Sequence, residues 1–417
     1  GPAISLTWSF RGEVSMSELK SVEEALTALL TGTAAVGSET VPCAEATYRI
    51  LASDVIARLD VPPFDNSAMD GYALYHADAG THLPVAQRVA AGIHPAPLSR
   101  GTCARVFTGA PLPPGADCVV MQEKVERTGD TAFIPAPVAV NNNIRPRGSD
   151  VQANSVLLPR GHRLDAAALG HLASQGITEV EVRQRPRVAL LTSGDEIVEP
   201  GQPLLPGQIY NSNRPMLKTL LETFGAEVYF IAAMPDDLDG TRAMLALAAE
   251  QADLVVTTGG VSVGEEDHVK NAIAAIGHLD IWRLALKPGK PLTAGRLVTT
   301  EGRQVRVIGL PGNPVSSFVA AWLFVRPLLG ALLEYPAMAS LPRLMARADF
   351  ATRTGPRRHY MRVTLDFGEA GMTAHAYPDQ GSGVLSSCVA ADALAVIPAD
   401  AQIAPGDLVE CLWLKGG

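Results

Sequence analysis

DLVVTTGGVSVGEEDHVK, from Asp253 to Lys270, is the stretch that decides the fold. It opens with a short apolar run of the kind that forms a fully buried strand, passes through a glycine-rich loop and continues at helical spacing. Glycines let a ligand approach the backbone closely, and the free N–H groups of a helix start attract anions. The stretch therefore indicates a parallel α/β sheet with a ligand site at its edge. Asp267 is expected at the helix start, as a cap or as a site residue.

Four further stretches resemble parallel strands: Val188–Leu191, Ala226–Ala233, Ile281–Leu286 and Val305–Leu310. The loops that follow the five strands carry Glu196, Asp236, Asp267, Lys287 with Lys290, and Asn313. In open α/β sheets, ligands bind outside the carboxyl ends of the strands. Three carboxylates beside two lysines suit a divalent metal and a substrate rich in anionic oxygens. Any one of these acids alone would also fit a helix cap or a solvated loop, but five matching strand ends favour a site.

The composition of the chain argues against several classes of protein. The chain has 417 residues, 47% of them hydrophobic, which is enough for more than one core. A formal net charge of −9 without a basic run argues against nucleic acid or an anionic membrane as partner. Five scattered cysteines without metal-ligand spacing argue against a disulfide framework and structural zinc, and they favour a cytoplasmic location. The sequence contains no long uninterrupted apolar run, so nothing in it indicates export or membrane insertion.

The pattern along the chain predicts a multidomain α/β and β protein. Helical spacing over Ser17–Thr31 and Ala44–Ile56, and again from Leu164 to Gln175, predicts an elongated discontinuous domain over residues 14–58 and 151–184. Short β-prone pieces broken by Pro and Gly predict an inserted β domain over 59–150. A central three-layer α/β domain with a mostly parallel sheet follows over 185–332, where Asn213 is expected to cap a helix ending at Phe224. The last part, 340–417, predicts a small β-barrel.

Two proline-stiffened turns bring further polar groups to the sheet edge. LKPGKP from Leu286 places Lys287 and Lys290 just after a strand, and in LPGNP from Leu310 we expect Asn313, Ser316 and Ser317 to face the same crevice. Lysines on a surface are commonly just solvated, but two lysines each followed by Pro favour ligand contact.

Polar turns in the flanking domains are the remaining candidates. FDNSAMDGYA from Phe64 places Asp70 beside a glycine, and Thr108 and Asp150 lie in two further turns. Near the C-terminus, Arg357, Arg358 and the GSGVLSS run from Gly381 could bind an oxyanion. An Asx-rich turn or a solvated loop is the alternative for each. His268 is expected to be incidental rather than catalytic, and Ser193 lies outside a serine-hydrolase motif.

The order of seven motifs resembles one family. FDNSAMDGYA, TGAP, RGSD, TSGDE, TTGGVSVGEED, LKPGKP and GLPGNPVS occur here as they do in molybdopterin molybdenumtransferases, the MoeA and gephyrin E-domain family. The resemblance spans essentially the whole chain. It implies Mg²⁺-dependent insertion of molybdate into adenylylated molybdopterin, with hydrolysis of the adenylate and release of AMP. It also implies four domains and a homodimer whose cleft combines the central domain of one subunit with the inserted and C-terminal domains of the other.

The resemblance also implies site residues. The positions that match the family are Asp70, Thr108, Asp150, Glu196, Asp236, Asp267, Lys287, Lys290, Arg357 and Ser382. Asp70, Glu196, Asp236 and Asp267 are expected to be catalytic, and the last three to hold the metal, although which acid holds metal and which orients water stays open. The expected substrate-binding set is Thr108, Asp150, Gly259, Gly260, Ser262, Gly264, Lys287, Lys290, Asn313, Ser316, Arg357 and Ser382. Ser149 departs from the family, in which many members have Glu just before the Asp.

Two other functions stay open at this point. A related central domain adenylylates molybdopterin, but such domains typically read GGTG where this chain has GGVS from Gly259. Gephyrin relatives also bind peptide partners as scaffolds, although the intact acids and lysines favour an enzyme. As an enzyme, the chain would exchange intermediates with a molybdopterin-adenylylating enzyme and with molybdoenzyme acceptors.

Overall fold

The computed structural model describes residues 19–194, 196–259, 263–289 and 291–415. These form two compact units. Residues Thr40–Val182 make one, here called the 40–182 unit. The described residues before and after it make the other, here called the main unit. The predicted four-domain boundaries stay a prediction.

A six-stranded sheet organises the middle of the main unit, where the sequence predicted five strands in a mostly parallel sheet. In sheet order its strands are Glu227–Ala233, Arg187–Thr192, Leu254–Thr258, Gln304–Leu310, Pro291–Val298 and Gly277–Arg283. The first four pair in parallel, whereas Pro291–Val298 runs antiparallel to both of its neighbours. This antiparallel strand was not predicted from the sequence. Because two antiparallel pairings restore the direction, Gly277–Arg283 still points the same way as the parallel four.

Helices cover the central sheet and complete the main unit. They are Val22–Leu30, Asn213–Thr223, Leu238–Ala249, Val263–Ile276, Pro314–Ala320, Arg326–Leu332 and Leu385–Ala390. The first begins at Val22, later than predicted, because Ser21 caps it and accepts from Glu24 N–H at 3.1 Å. The expectation that Asn213 caps its helix is wrong, since Asn213 is the first residue inside that helix.

The helical stretch Pro314–Leu332 has 19 residues and is long and apolar enough to cross a membrane. However, 72% of its apolar window is buried inside the protein. A core helix of this length needs an apolar surface on most sides, because other elements surround it. We therefore interpret it as a core helix of the main unit.

A small closed barrel ends the chain, also as predicted. Its ring runs through Arg358–Gly368, Gly371–Ala376, Arg343–Ala348, Leu408–Trp413 and Ala393–Ile397, and an extra pairing joins the last strand to the first. Leu286–Lys287 adds a short parallel strand to Arg358–Gly368, and Thr352–Arg353 pairs with Gln402–Ile403 beside the ring. The lysine turn is therefore attached to the C-terminal sheet. In the central domain, Ile197–Val198 also pairs with Ile209–Tyr210.

The 40–182 unit is built mainly of strands. Its main sheet contains, in order, Cys118–Met121, Gly71–Leu74, Cys103–Val106, His82–Val89, Thr131–Phe133 and Glu126–Thr128. Three small pairs join Asn66–Ser67 to Ile144–Arg145, Val55–Ile56 to Val156–Leu158 and, at the unit's boundary, Ser38–Pro42 to Glu179–Arg183. One core joins residues 46–57 to 151–182 around the helix Ala166–Ser174.

The helix predicted over Ala44–Ile56 is wrong. Only a 3₁₀ turn at Cys43–Glu45 and the short strand Val55–Ile56 form there. Tyr48 has a positive φ of 60°, which no α-helix accommodates. The apolar spacing instead lets Leu51 pack into the shared core from an irregular segment. β-Branched and aromatic residues in this stretch weaken its helix propensity.

Candidate functional site

A glycine turn presents Glu196 after the strand Arg187–Thr192. Gly194 has φ +133°, and a Cβ placed there would lie 2.7 Å from Ile197 Cγ1 and 3.1 Å from Glu196 Oε1. Only glycine lets the chain turn this tightly under the Glu196 carboxylate. The Ser193 N–H donates to Thr258 O at 3.0 Å, which ties the turn to the neighbouring strand end.

Asp236 lies beside this turn, at the end of the edge strand Glu227–Ala233. A small cavity is lined by Gly194, Asp236, Thr241 and His268. The His268 Nε2 lies 3.9 Å from Asp236 Oδ1. The parallel sheet thus brings Glu196 and Asp236 to one edge, as expected. His268 has no metal-ligand spacing in the sequence, and its proximity to Asp236 arises from the packing of its helix.

Asp267 and its loop are only partly described. The helix Val263–Ile276 includes Asp267 as its fifth residue, so the expected place at the helix start is wrong. The side chain of Asp267 lies outside the described residues, as do Gly260, Ser262 and Lys290. Gly264 lies in the same helix, and Gly259 lines a small cavity with Thr257, Lys270 and Gly309.

Asn213 ties the second proline turn to the sheet edge. Its Nδ2 donates to Thr258 Oγ1 at 3.1 Å and to Gly312 O at 2.8 Å, and the Thr258 hydroxyl donates to Pro311 O at 3.2 Å. Because a carbonyl oxygen can only accept, these contacts fix the orientation of the Asn213 amide. This contact of Asn213 was not predicted from the sequence, because its place near a helix start suggested a cap instead.

The LPGNP turn leaves Asn313 exposed, but the expectation that Ser316 and Ser317 face the crevice is wrong. Both serines are buried, and the Ser317 hydroxyl donates to Pro311 O. Ser316 packs against Gly289, where an added Cβ would lie 3.1 Å from Ser316 Cβ. The serines therefore pack the start of this helix against the lysine turn.

The lysine turn and the C-terminal glycine run meet in the main unit. Leu286–Lys287 pairs in parallel with Arg358 and His359, and Val315 N–H donates to Ser382 O at 3.3 Å. A cavity of about 400 Å³ opens beside Lys287 and Gly381. Lys287 and the Ser382 loop, which the sequence treated as separate candidates, thus lie around one region.

Arg357 and Arg358 differ in what they can bind. Arg358 is engaged, because its Nη1 donates to Glu23 Oε1 at 2.7 Å and to Tyr360 Oη at 3.3 Å. The expectation that Arg358 binds an oxyanion is therefore wrong. Arg357 is partly buried and close enough to His359 to affect the pKa of that imidazole.

In the 40–182 unit, two predicted residues contact each other. Asp70 Oδ1 accepts the Thr108 N–H at 2.8 Å and the Thr108 hydroxyl at 3.1 Å. These two hydrogen bonds lower the pKa of the Asp70 carboxyl. In the nearby RGSD turn, Asp150 is exposed, and Arg147 N–H donates to Asp65 Oδ1 at 2.7 Å. The inserted motifs are thus held together by specific hydrogen bonds.

Three family models match consecutive parts of this chain. They are the MoeA N-terminal region (domain I and II) at residues 20–176, the probable molybdopterin binding domain at 189–331, and the MoeA C-terminal region (domain IV) at 345–414.

Full-length proteins show the same likeness. The chain is 36% identical over 362 residues to a molybdopterin molybdenumtransferase of Haemophilus influenzae, covering 85% of this chain and 88% of that protein. It is 35% identical to molybdopterin molybdenumtransferase 2 of Mycobacterium tuberculosis, covering 90% and 94%. The crystal structure of a molybdopterin biosynthesis moeA protein from Pyrococcus horikoshii superposes with a TM-score of 0.80 at 30% identity, covering 95% of this chain and 100% of that one.

Proposed function

Because the chain belongs to the MoeA family of molybdopterin molybdenumtransferases, we propose that it inserts molybdate into adenylylated molybdopterin in a Mg²⁺-dependent step that releases AMP. It is thus an enzyme of molybdenum cofactor biosynthesis. The observation that supports the proposed reaction is the arrangement of side chains at the edge of the central sheet. There Glu196 and Asp236 follow the ends of two adjacent parallel strands, and the lysine turn packs against the helix start that follows Gln304–Leu310, which supports a metal-assisted reaction on an anionic substrate.

The carboxylates fit a magnesium ion held mainly by its substrate. Mg²⁺ takes oxygen ligands and is commonly bound through one or two carboxylates plus phosphates and water. Glu196 and Asp236 supply such carboxylates, and we include Asp267 in the proposed set. The described part of the chain contains no group of three His, Cys, Asp or Glu suited to hold a metal alone. Bound there, Mg²⁺ would polarise the phosphoanhydride of the adenylate.

The basic and glycine-rich groups would bind the anionic oxygens. We propose that Lys287 and Lys290 neutralise phosphate or molybdate oxygens, with Arg357 and Ser382 contributing from the C-terminal barrel. Backbone N–H groups of the glycine-rich loop, from Gly259 to Gly264, would meet the pterin adenylate, with Asn313 at the neighbouring turn. Ser316 is buried, so we assign it to shaping the lysine turn.

We propose that the working unit is a homodimer, from the family resemblance and from the division of the motifs. Asp70, Thr108 and Asp150 lie in the 40–182 unit, whereas Glu196 and Asp236 lie in the main unit. The proposed cleft takes the first set from one subunit and the second from the other. Light scattering combined with an activity assay tests this: a fully active monomer would contradict it.

A cytoplasmic location is also a proposal. All five cysteines are free, and four of them are buried. Free thiols persist in a reducing compartment, whereas oxidising compartments favour disulfides. Fractionation of the native cell, followed by detection of the chain, would test the location.

The direct experiment mixes the chain with adenylylated molybdopterin, molybdate and Mg²⁺ and follows AMP. We expect AMP release that requires molybdate and is lost with a chelator of Mg²⁺. An adenylyltransferase would instead consume molybdopterin and ATP, and a scaffold would do neither. Release of AMP that does not depend on molybdate would contradict the proposal.

A charge variant tests the proposed metal set. Asp267→Asn removes one negative charge inside the helix Val263–Ile276, so we expect AMP release to fall by about 100-fold or more while the pterin adenylate still binds. Asp239→Asn is the matched control, because Asp239 also lies on a helix of this domain and its side chain is 96% exposed. Near-normal turnover of Asp267→Asn would remove Asp267 from the metal set.

A further inference from the structure

The cavity beside Lys287 is lined by basic groups. Its volume is about 400 Å³, and the charged or chargeable nitrogen groups that line it belong to Lys287, Arg353, His359 and Arg362. None of its described lining residues carries a carboxylate. On the neighbouring loop, Asp379 is exposed and accepts the Gly381 N–H at 2.9 Å. A concave surface of one charge sign concentrates ligands of the opposite sign.

Arg362 places a buried positive charge next to this cavity. It is 1% exposed, and its guanidinium donates to Ser387 Oγ, Tyr360 O and Gly381 O at 2.9, 3.2 and 3.3 Å. All three acceptors are neutral. Asp379 favours the charged guanidinium from a distance, but burial outweighs it and lowers the pKa of Arg362, so a bound anion would relieve part of the desolvation cost. The wall of the cavity is thus arranged for a negative ligand.

His359 is the one titratable group in this wall that changes charge near neutral pH. It is half-buried and faces Lys287 in the paired strand Leu286–Lys287. Burial, followed by the positive charges of Lys287 and Arg357, lowers the pKa of the His359 imidazole. On its other side, the strand Ala393–Ile397 contains no ionisable residue. From the side of the cavity, Arg353 adds a further cation.

We propose that His359 is a substrate contact of this cavity and takes up one proton when a doubly charged tetrahedral oxyanion enters. The inference rests on the proposed function, in which Lys287 binds anionic oxygens. With the cavity empty, burial and the positive charges of Lys287 and Arg357 favour the neutral imidazole. A dianion reverses the local field, and the imidazole then gains a proton from solvent and donates an N–H to the oxyanion. Free molybdate and the phosphate of the adenylate share this chemistry.

Proton uptake makes oxyanion binding depend on pH in a defined direction. Because the bound state holds one more proton, affinity falls as pH rises through the window between the His359 pKa values of the free and bound states. The limit for one linked proton is about tenfold per pH unit. We expect molybdate, which stays doubly charged over this range, to bind about tenfold more weakly at pH 8 than at pH 6 at constant ionic strength.

Histidine-labelled NMR on the full chain tests the idea without relying on turnover. The His359 resonance is assigned by its absence in His359→Gln and titrated with molybdate, inorganic phosphate or AMP. We expect the His359 pKa to rise by at least one unit with molybdate, phosphate or both, and the larger rise identifies the source. No rise at saturation with any of the three would overturn the proposal.

Calorimetry in buffers of different ionisation enthalpy counts the protons. With a pKa rise of about one unit, the wild-type chain should take up about half a proton per molybdate midway between the two His359 pKa values, whereas His359→Gln and His359→Asn should take up almost none and lose the pH dependence. His375→Gln is the matched control, a barrel histidine held by Asp349 and Asp366 at 2.9 and 2.6 Å. Equal proton uptake in wild type and both His359 variants would contradict the proposal. If AMP is released but no proton uptake accompanies oxyanion binding, the proposal for His359 alone is refuted. If proton uptake occurs but no AMP is released, the result counts against the proposed reaction.

Discussion

Replacing Arg362 by Met should destabilise the C-terminal barrel only modestly, although the arginine is fully buried. Three hydrogen bonds from a charged donor would suggest a loss of several kcal/mol. Two acceptors keep another partner, however: Gly381 O also accepts Val384 N–H at 3.2 Å, and the Ser387 hydroxyl donates to Val384 O at 2.7 Å. The penalty of about 1–3 kcal/mol for an orphaned acceptor therefore applies once rather than three times.

Removing the buried charge also recovers part of its desolvation cost, and the methionine side chain fills much of the space. We expect a net loss of about 2 kcal/mol in barrel stability. Urea denaturation together with hydrogen exchange in Arg358–Gly368 and Ala393–Ile397 measures it, because exchange reports the stability of this domain separately. Arg347→Met, which removes an exposed guanidinium that donates to Gly406 O at 3.0 Å, should change stability by less than about 0.5 kcal/mol. A loss above about 4 kcal/mol for Arg362→Met would refute the argument from retained partners.

Two further predictions concern other charged groups. The hydrogen bonds to Asp366 and, less strongly, Asp349 outweigh burial and raise the pKa of His375, so its stabilising contribution is complete below pH about 6.5 and lost as pH rises through the folded-state pKa. The stability difference between wild type and His375→Gln in urea unfolding should therefore shrink as pH rises above about 6.5, and a constant difference would contradict this prediction. Asp70→Asn retains an oxygen that can accept from Thr108, so melting should change little while AMP release falls by about 100-fold if the charge is catalytic. Unchanged AMP release would exclude that role.

The sequence predicted the elements of the central domain better than their pairing. Short apolar runs indicate buried strands, and four of the five predicted strands lie where the sequence placed them. Pro291–Val298 was missed because a leading proline and an internal glycine weaken a strand pattern. The irregular stretch after Cys43 was misread as a helix because periodicity alone does not show which backbone the core selects.

Predicting the site required contacts that no local pattern contains. Motif chemistry named Lys287 and Ser382 as candidates, but their proximity depends on a two-residue strand that joins Leu286–Lys287 to the barrel. A strand of two residues has no period to detect. Arg362 was missed for a similar reason, since an arginine inside a β-run usually signals a solvated face and only the closed barrel buries this one.

The unpredicted strand Pro291–Val298 leaves the carboxyl ends of its neighbours' parallel set at one edge of the sheet. An antiparallel strand inserted between Gln304–Leu310 and Gly277–Arg283 reverses direction once, and its second pairing reverses it again. The carboxyl end of Gly277–Arg283 therefore lies at the same edge as the four parallel strands, and the chain leaving it reaches the lysine turn within four residues. The position of Lys287 near the edge depends on the direction of the strand rather than on its neighbours. The edge at which a strand ends can thus be predicted even where the strand order was incomplete, whereas the role of Lys287 at that edge stays a prediction.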